Sequence, residues 1–128
     1  MSESTHVRGT RGEQMAARFL TRKGYTIFHC NYRDKISRNE IDLITRQDDC
    51  IVSVEVNTGS ALAFGDPVTW VTWMDIRKQR CVTHAVSRYI RDTYFCDSDC
   101  RIEVIGITVD RGLSFIKHLE HTSTGIMQ

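Results

Sequence analysis

The chain has 128 residues, 41% of them apolar and 26% charged, with a net charge of +1. That mix suits one globular domain with a single core over residues 1–128, and so small a net charge says nothing about partners. No run of about 18 apolar residues occurs, which excludes a membrane-spanning helix, and the polar start MSESTHVRGTRGEQ lacks the apolar stretch of a signal peptide.

Residues 1–8 read as a tail. Thr10-Arg11-Gly12-Glu13 matches a capping box, with Thr10 as the cap and Glu13 reaching back to it. The helix it opens runs to about Lys23 on an apolar stripe of Met15, Ala16, Phe19 and Leu20, and Gly24 ends it in the left-handed region. Tyr25–Tyr32 is rich in aromatic and β-branched types and reads as a strand, and Arg33–Arg38 as a polar connection. Asn39–Arg46 and Ile51–Asn57 read as a hairpin folded about Gln47-Asp48-Asp49-Cys50. Alternation places Ile41, Leu43, Val52, Val54 and Val56 on one face and Glu40, Asp42, Ser53, Glu55 and Asn57 on the other. A one-residue slip would bury the carboxylates and expose the valines, which pins the register.

Thr58–Val68 contains Gly59, Gly65 and Pro67 and is a loop long enough to act as a flap. Thr72 and Asp75 offer a second cap for a helix to about Asp92, whose apolar face is Val82, Ala85, Val86 and Tyr89. Arg101–Val109 is a strand, Asp110-Arg111-Gly112 a turn, Leu113–Leu119 a last strand and His121–Gln128 a tail. The order α-β-β-β-α-β-β predicts an α/β sandwich around a mixed sheet.

The hairpin carries the chemistry. Folded symmetrically about Asp48-Asp49, it sets Asp42 opposite Glu55 and Glu40 opposite Asn57. Facing side chains on an antiparallel pair have Cβ atoms roughly 5 Å apart, and like charges at that distance repel by roughly 3 kcal/mol at an effective dielectric near 20. A divalent cation relieves this, and carboxylate oxygens are its natural ligands. Glu40 lies beside Asp42 as a supporting charge. Basic residues gather elsewhere: residues 1–38 hold eight Lys or Arg against three acids, and the second helix adds Arg77, Lys78, Arg80, Arg88 and Arg91. A positive rim around an acidic centre suits a phosphate polymer brought to a metal, and solvated helix faces are the plainer account of the same charges. Five dispersed cysteines, Cys30, Cys50, Cys81, Cys96 and Cys100, read as reduced thiols of a cytoplasmic protein. Neither His118 with His121 nor Cys96 with Cys100 has the second pair that a zinc site needs. Trp70, Trp73 and Tyr94 read as packing residues.

Several segments together resemble the YraN-like family of small bacterial proteins over roughly residues 8–120. They are Gly12-Glu13, Ala16-Ala17-Arg18-Phe19-Leu20, Lys23-Gly24-Tyr25, Asn31-Tyr32-Arg33, Glu40-Ile41-Asp42-Leu43-Ile44, Val54-Glu55-Val56, Ala63-Phe64-Gly65-Asp66-Pro67 and Lys78-Gln79-Arg80. The resemblance implies a PD-(D/E)xK, restriction-endonuclease-like fold, a three-layer sandwich near the archaeal Holliday-junction resolvases. It implies action on nucleic acid, DNA and branched DNA foremost, with Mg²⁺ or Mn²⁺ held by Asp42 and Glu55. Glu13 becomes the helix-borne acid and Gln79 a polar helper on the second helix. Branched-DNA enzymes of that superfamily are often homodimers, which suggests the same here by analogy.

One departure bears on activity. The family reads Glu-Val-Lys-Thr-Arg where this chain has Glu55-Val56-Asn57-Thr58-Gly59. Asparagine carries no charge, and losing one transition-state stabiliser typically costs about 100–1000-fold in rate. The implied endonuclease is therefore weakened, or rescued by another cation, with Lys35 and Lys78 as candidates. The alternatives are a DNA-binding module without catalysis and an interaction scaffold with no nucleic-acid role.

Overall fold

A computed structural model describes residues 5–59, 76–93, 98–110 and 112–123. Helix α1 (Thr5–Arg22) is followed by β1 (Thr26–Arg33), β2 (Glu40–Gln47), β3 (Cys50–Gly59), helix α2 (Ile76–Arg91), β4 (Asp99–Asp110) and β5 (Leu113–Ser123). The expected order holds. Thr58 and Gly59, read as the start of the flap, close β3; the rest of the flap to Val68, together with Trp70, the Thr72 cap, Trp73 and Tyr94, lies outside the described residues.

Helix α1 ends as the sequence predicts. Gly24 has φ +97, the Tyr25 amide donates to the Leu20 carbonyl at 2.9 Å, and the Gly24 amide donates to that of Thr21 at 3.1 Å. This is a Schellman closure, and Leu20 and Tyr25 provide its apolar contact inside one core cluster. The start differs from expectation. Helix begins at Thr5, so Thr10 is an interior residue and Glu13 has no cap to answer. Nothing in Thr5–Gly9 forbids helix, and a capping pattern is a weak prior when no proline enforces it.

The five strands lie in the order β1-β2-β3-β4-β5. Pairings β1–β2, β2–β3 and β4–β5 are antiparallel and β3–β4 is parallel, so the sheet is mixed. A parallel neighbour needs a crossover, and α2 lies within it. Strand β5 continues to Ser123, into the segment expected to be a tail, with a register irregularity opposite Ile102/Val104.

Alternate residues of the same strands feed two clusters. Leu43, Val52, Val54, Ile105 and Ile107 pack with Ala16 and Leu20 of α1. Ile44, Ile51, Ile102 and Val104 pack with Val82, Ala85, Val86 and Tyr89 of α2. Each face of the sheet is thus covered by a helix. Part of the hairpin's polar face is not solvated: Ser53 and Glu55 are buried along with Ile44 and Ile51, while Glu40 is exposed. A central strand beside a parallel partner is covered on both sides, which overrides the simple in–out alternation.

A second correction concerns Ile41. Alternation puts it with Leu43, yet it packs in the α2 cluster beside Ile44, three positions on. The pattern therefore breaks between them, at Asp42. Across the β1–β2 pairing, Cys30 meets Leu43 and Tyr32 meets Ile41, which places Asn31 across from Asp42. Asn31 has φ +56, a left-handed value that asparagine tolerates better than most residues. Both strands change face at the same level.

Candidate metal and nucleic-acid site

The turn that builds the site is tight. Gln47 pairs with Cys50, and Asp48 sits at φ +53, as a two-residue hairpin turn demands. The predicted register runs from there to Leu43↔Val54 and stops. Beyond it the ladder does not continue to Asp42–Glu55 or Glu40–Asn57. Instead Oδ2 of Asp42 accepts the Val56 amide at 2.8 Å. A side chain has taken a main-chain donor, so the Asp42 carboxylate lies against the Glu55–Val56 peptide. Glu40 pairs with Arg33 of β1, N to O 3.6 Å.

Glu55 is only 4% exposed, and its Oε1 is closed off from solvent. It stands in register with Val104 of the α2 cluster, so it faces α2. Gln79, half-buried near the start of α2, is three and seven residues before the buried Val82 and Val86 and so shares their sheet-facing stripe. Asn57 is half-buried and in register with Gly106.

Glu13 comes from the other side. A Cβ on its neighbour Gly12 would stand 2.9 Å from Cγ2 of Thr58 and 3.9 Å from Cγ1 of Val56, so α1 crosses β3 closely at the level of the seam. The Cys30 thiol of β1 is pushed up by burial first and by the Glu13 charge second, so Glu13 is within electrostatic reach of Cys30. One Glu13 oxygen is also closed off from solvent.

Among the described residues, no three of His, Cys, Asp or Glu are grouped to hold a metal ion. Of the three predicted acids, Asp42 lies against the Glu55–Val56 backbone, Glu55 faces α2 and Glu13 sits on the α1 side. Mg²⁺ is commonly held by one or two carboxylates completed by water and phosphate oxygens rather than by an all-protein cage. Asp42 and Glu55 are the residues that would hold such an ion. Lys35 is an exposed loop residue lining a separate cavity with Tyr32 and Arg88, and the Lys78 side chain lies outside the described residues.

Sequence reasoning missed a buried polar network on β4. Glu103 is 0% exposed. It accepts Tyr25 Oη at 2.8 Å and His118 Nε2 at 2.7 Å on one oxygen, and Arg101 Nε at 2.6 Å on the other. Lys23 Nζ donates to His118 Nδ1 at 3.0 Å, which leaves the imidazole proton on Nε2. Burial drives the Glu103 carboxyl up, and the bonds from His118, Arg101 and Tyr25 outweigh it, holding it down to about 2. The available signal was a carboxylate in the apolar run Arg101–Val109 with an arginine two residues before it. A second missed pair joins the elements near β1: Arg88 Nε donates to Asp34 Oδ1 at 3.0 Å, and that bond holds the Asp34 carboxyl well below the usual carboxylate range.

Comparison with known proteins adds a relation. A family model described as "Uncharacterised protein family UPF0102" matches residues 12–107. A UPF0102 protein of Chlorobium phaeobacteroides is 38% identical over 109 residues, covering 85% of this chain and 82% of its own. One of Alkaliphilus oremlandii is 36% identical over 115 residues, covering 88% of this chain and 94% of its own. One of Rhodococcus jostii is 36% identical over 104 residues, covering 81% of this chain and 84% of its own.

Proposed function

The chain belongs to the uncharacterised UPF0102 family, and from that premise we propose a cytoplasmic nucleic-acid-binding protein with a divalent-metal-dependent endonuclease site. The mixed sheet with a helix over each face is the layering that a restriction-endonuclease-like, PD-(D/E)xK domain requires. The observation that carries the reading is the 2.8 Å bond from the Val56 amide to Asp42, which brings one carboxylate to the backbone of the other. A solvated acidic surface does not account for Glu55, which is 4% exposed.

Asp42 and Glu55 would hold Mg²⁺ or Mn²⁺. When bound, the ion acidifies a water and offsets charge developing on the phosphate. The chain's own residues do the rest. The Val56 amide orients Asp42. Gln79, on the sheet-facing stripe of α2, can hydrogen-bond a water or a phosphate oxygen, and Glu13 adds an acid from α1. Asn57 can donate its amide N–H groups to a phosphate but adds no positive charge. Basic residues of α1 and α2 would track the DNA backbone, so affinity falls steeply with salt.

Calorimetry with Mn²⁺ tests the ion site: wild type should give heat that Asp42→Ala lacks, and equal null heats in both would refute it. Asn57 favours a second reading, a DNA-binding module without catalysis. Cleavage of branched and single-stranded DNA by wild type and Asn57→Lys separates the two. Activity that appears only with the lysine marks the natural chain as a binding module descended from an enzyme.

A further inference from the structure

A cavity of about 360 Å³ opens between β1, the loop after it and the C-terminal half of α2. That volume is at the lower end of the range typical of small-ligand pockets. His29, Tyr32 and Tyr89 line it; His29 and Tyr32 each meet Tyr89 edge to face, at 5.2 and 5.3 Å between centroids, and tilt by 58° to one another at 5.3 Å. The loop on the other side is folded rather than slack. The Asp34 amide donates to the Asn39 carbonyl at 2.8 Å and the Arg38 amide to the Asp34 carbonyl at 2.9 Å. Asp34 accepts the Ser37 amide at 2.8 Å and hydroxyl at 2.7 Å, besides Arg88. This pinned loop holds Ile36 out at the cavity edge, 73% exposed. Lys35 beside it makes no ion pair among the described residues. An isoleucine fixed in water next to three rings and a cation is a surface awaiting an apolar, planar, anionic-backed partner.

We propose that this cavity receives an unpaired nucleobase of a single-stranded segment adjoining the β2–β3 seam. The inference rests on the nucleic-acid reading above and gives it a substrate feature. Tyr32 pairs with Ile41, the residue before Asp42, so the cavity lies beside the strand that carries Asp42. The base lies against the ring cluster and Ile36, and its phosphate meets Lys35. Asp92 on the rim offers an acceptor to an exocyclic amino group. A simple cation would have only Asp92 to meet there, because Arg88 is paired with Asp34 and Lys35 adds a positive charge.

The test uses the full chain in chelator, with short single-stranded DNA and RNA carrying 2-aminopurine, abasic counterparts and a blunt duplex. The intact strand should bind about tenfold more tightly than the abasic one, with 2-aminopurine emission quenched on stacking. Ile36→Asp and His29→Ala, both at exposed positions, should remove that preference while the thermal midpoint stays near wild type. The DNA and RNA arms report which sugar is taken. Equal affinity for intact and abasic strands, or a preference unchanged in both variants, overturns the proposal. If that happens while Mn²⁺-dependent cleavage is present, the seam reading stands and only the cavity assignment falls. If no oligonucleotide binds, both fall.

Discussion

Replacing Glu103 with glutamine perturbs a fully buried carboxylate that accepts three side-chain hydrogen bonds. Glu103 is 0% exposed, and its carboxyl is held at about 2 against an ordinary value of 4.5. That difference converts to about 3 kcal/mol of folding free energy when the group is ionised. Glutamine keeps the shape but presents one amide N–H pair to Arg101, His118 and Tyr25, all of them donors here. Breaking a buried charged network by removing one member typically costs about 3–5 kcal/mol, which agrees with the linkage figure. The sign follows from the depressed carboxyl. The contribution is complete above the unfolded value near 4.5 and is lost as pH falls toward 2. Urea unfolding followed by circular dichroism should give a gap of about 3 kcal/mol between wild type and Glu103→Gln near pH 7, narrowing from about pH 5 to about pH 3. Asp34 and Glu120 are also depressed, but both proteins carry them, so they cancel in the difference. A gap below about 1 kcal/mol at neutral pH, or one that stays constant into acid, would refute the reasoning.

Two further outcomes concern packing and charge. Gly12→Val should destabilise by about 1–3 kcal/mol because a Cβ there meets Thr58 at 2.9 Å, and adding Thr58→Ala should recover part of the loss in thermal melts. Arg88→Met leaves the Asp34 carboxylate, whose side chain is 4% exposed, without its guanidinium. The variant should unfold at lower urea than wild type near neutral pH. Asp34 is depressed chiefly by Arg88, so wild type should lose this stabilisation as pH falls and the variant's acid slope should be flatter; matching slopes would count against it.

Local chemistry made much of the fold readable. The Asp48-Asp49 turn fixed the hairpin register from Gln47↔Cys50 to Leu43↔Val54, and Gly24 marked the end of α1. The strands that carry Asp42 and Glu55 were legible because a turn and an alternation sufficed to bring them together, but the facing pair read from that register does not form. The face of Ile41 was not, because it depends on a side chain capturing the Val56 amide and on Asn31 turning left-handed. The Glu103 network escaped for a different reason. Tyr25 and His118 lie 78 and 15 residues away, and only tertiary packing unites them. Glu13 was explained by a cap that the longer helix makes irrelevant.

The capture of the Val56 amide has a mechanical consequence. Strand β3 is bound to β4 through ten successive partners, Cys50↔Asp99 to Gly59↔Thr108, while its tie to β2 ends at Leu43. The sheet is therefore two leaves joined along part of one margin, with β1 and β2 forming the smaller leaf. Asp42 is the last stitch. Slow breathing of the protein should concentrate there, and amide protons of Glu40 and Ile41 should exchange with deuterium sooner than those of Ile44 and Thr45.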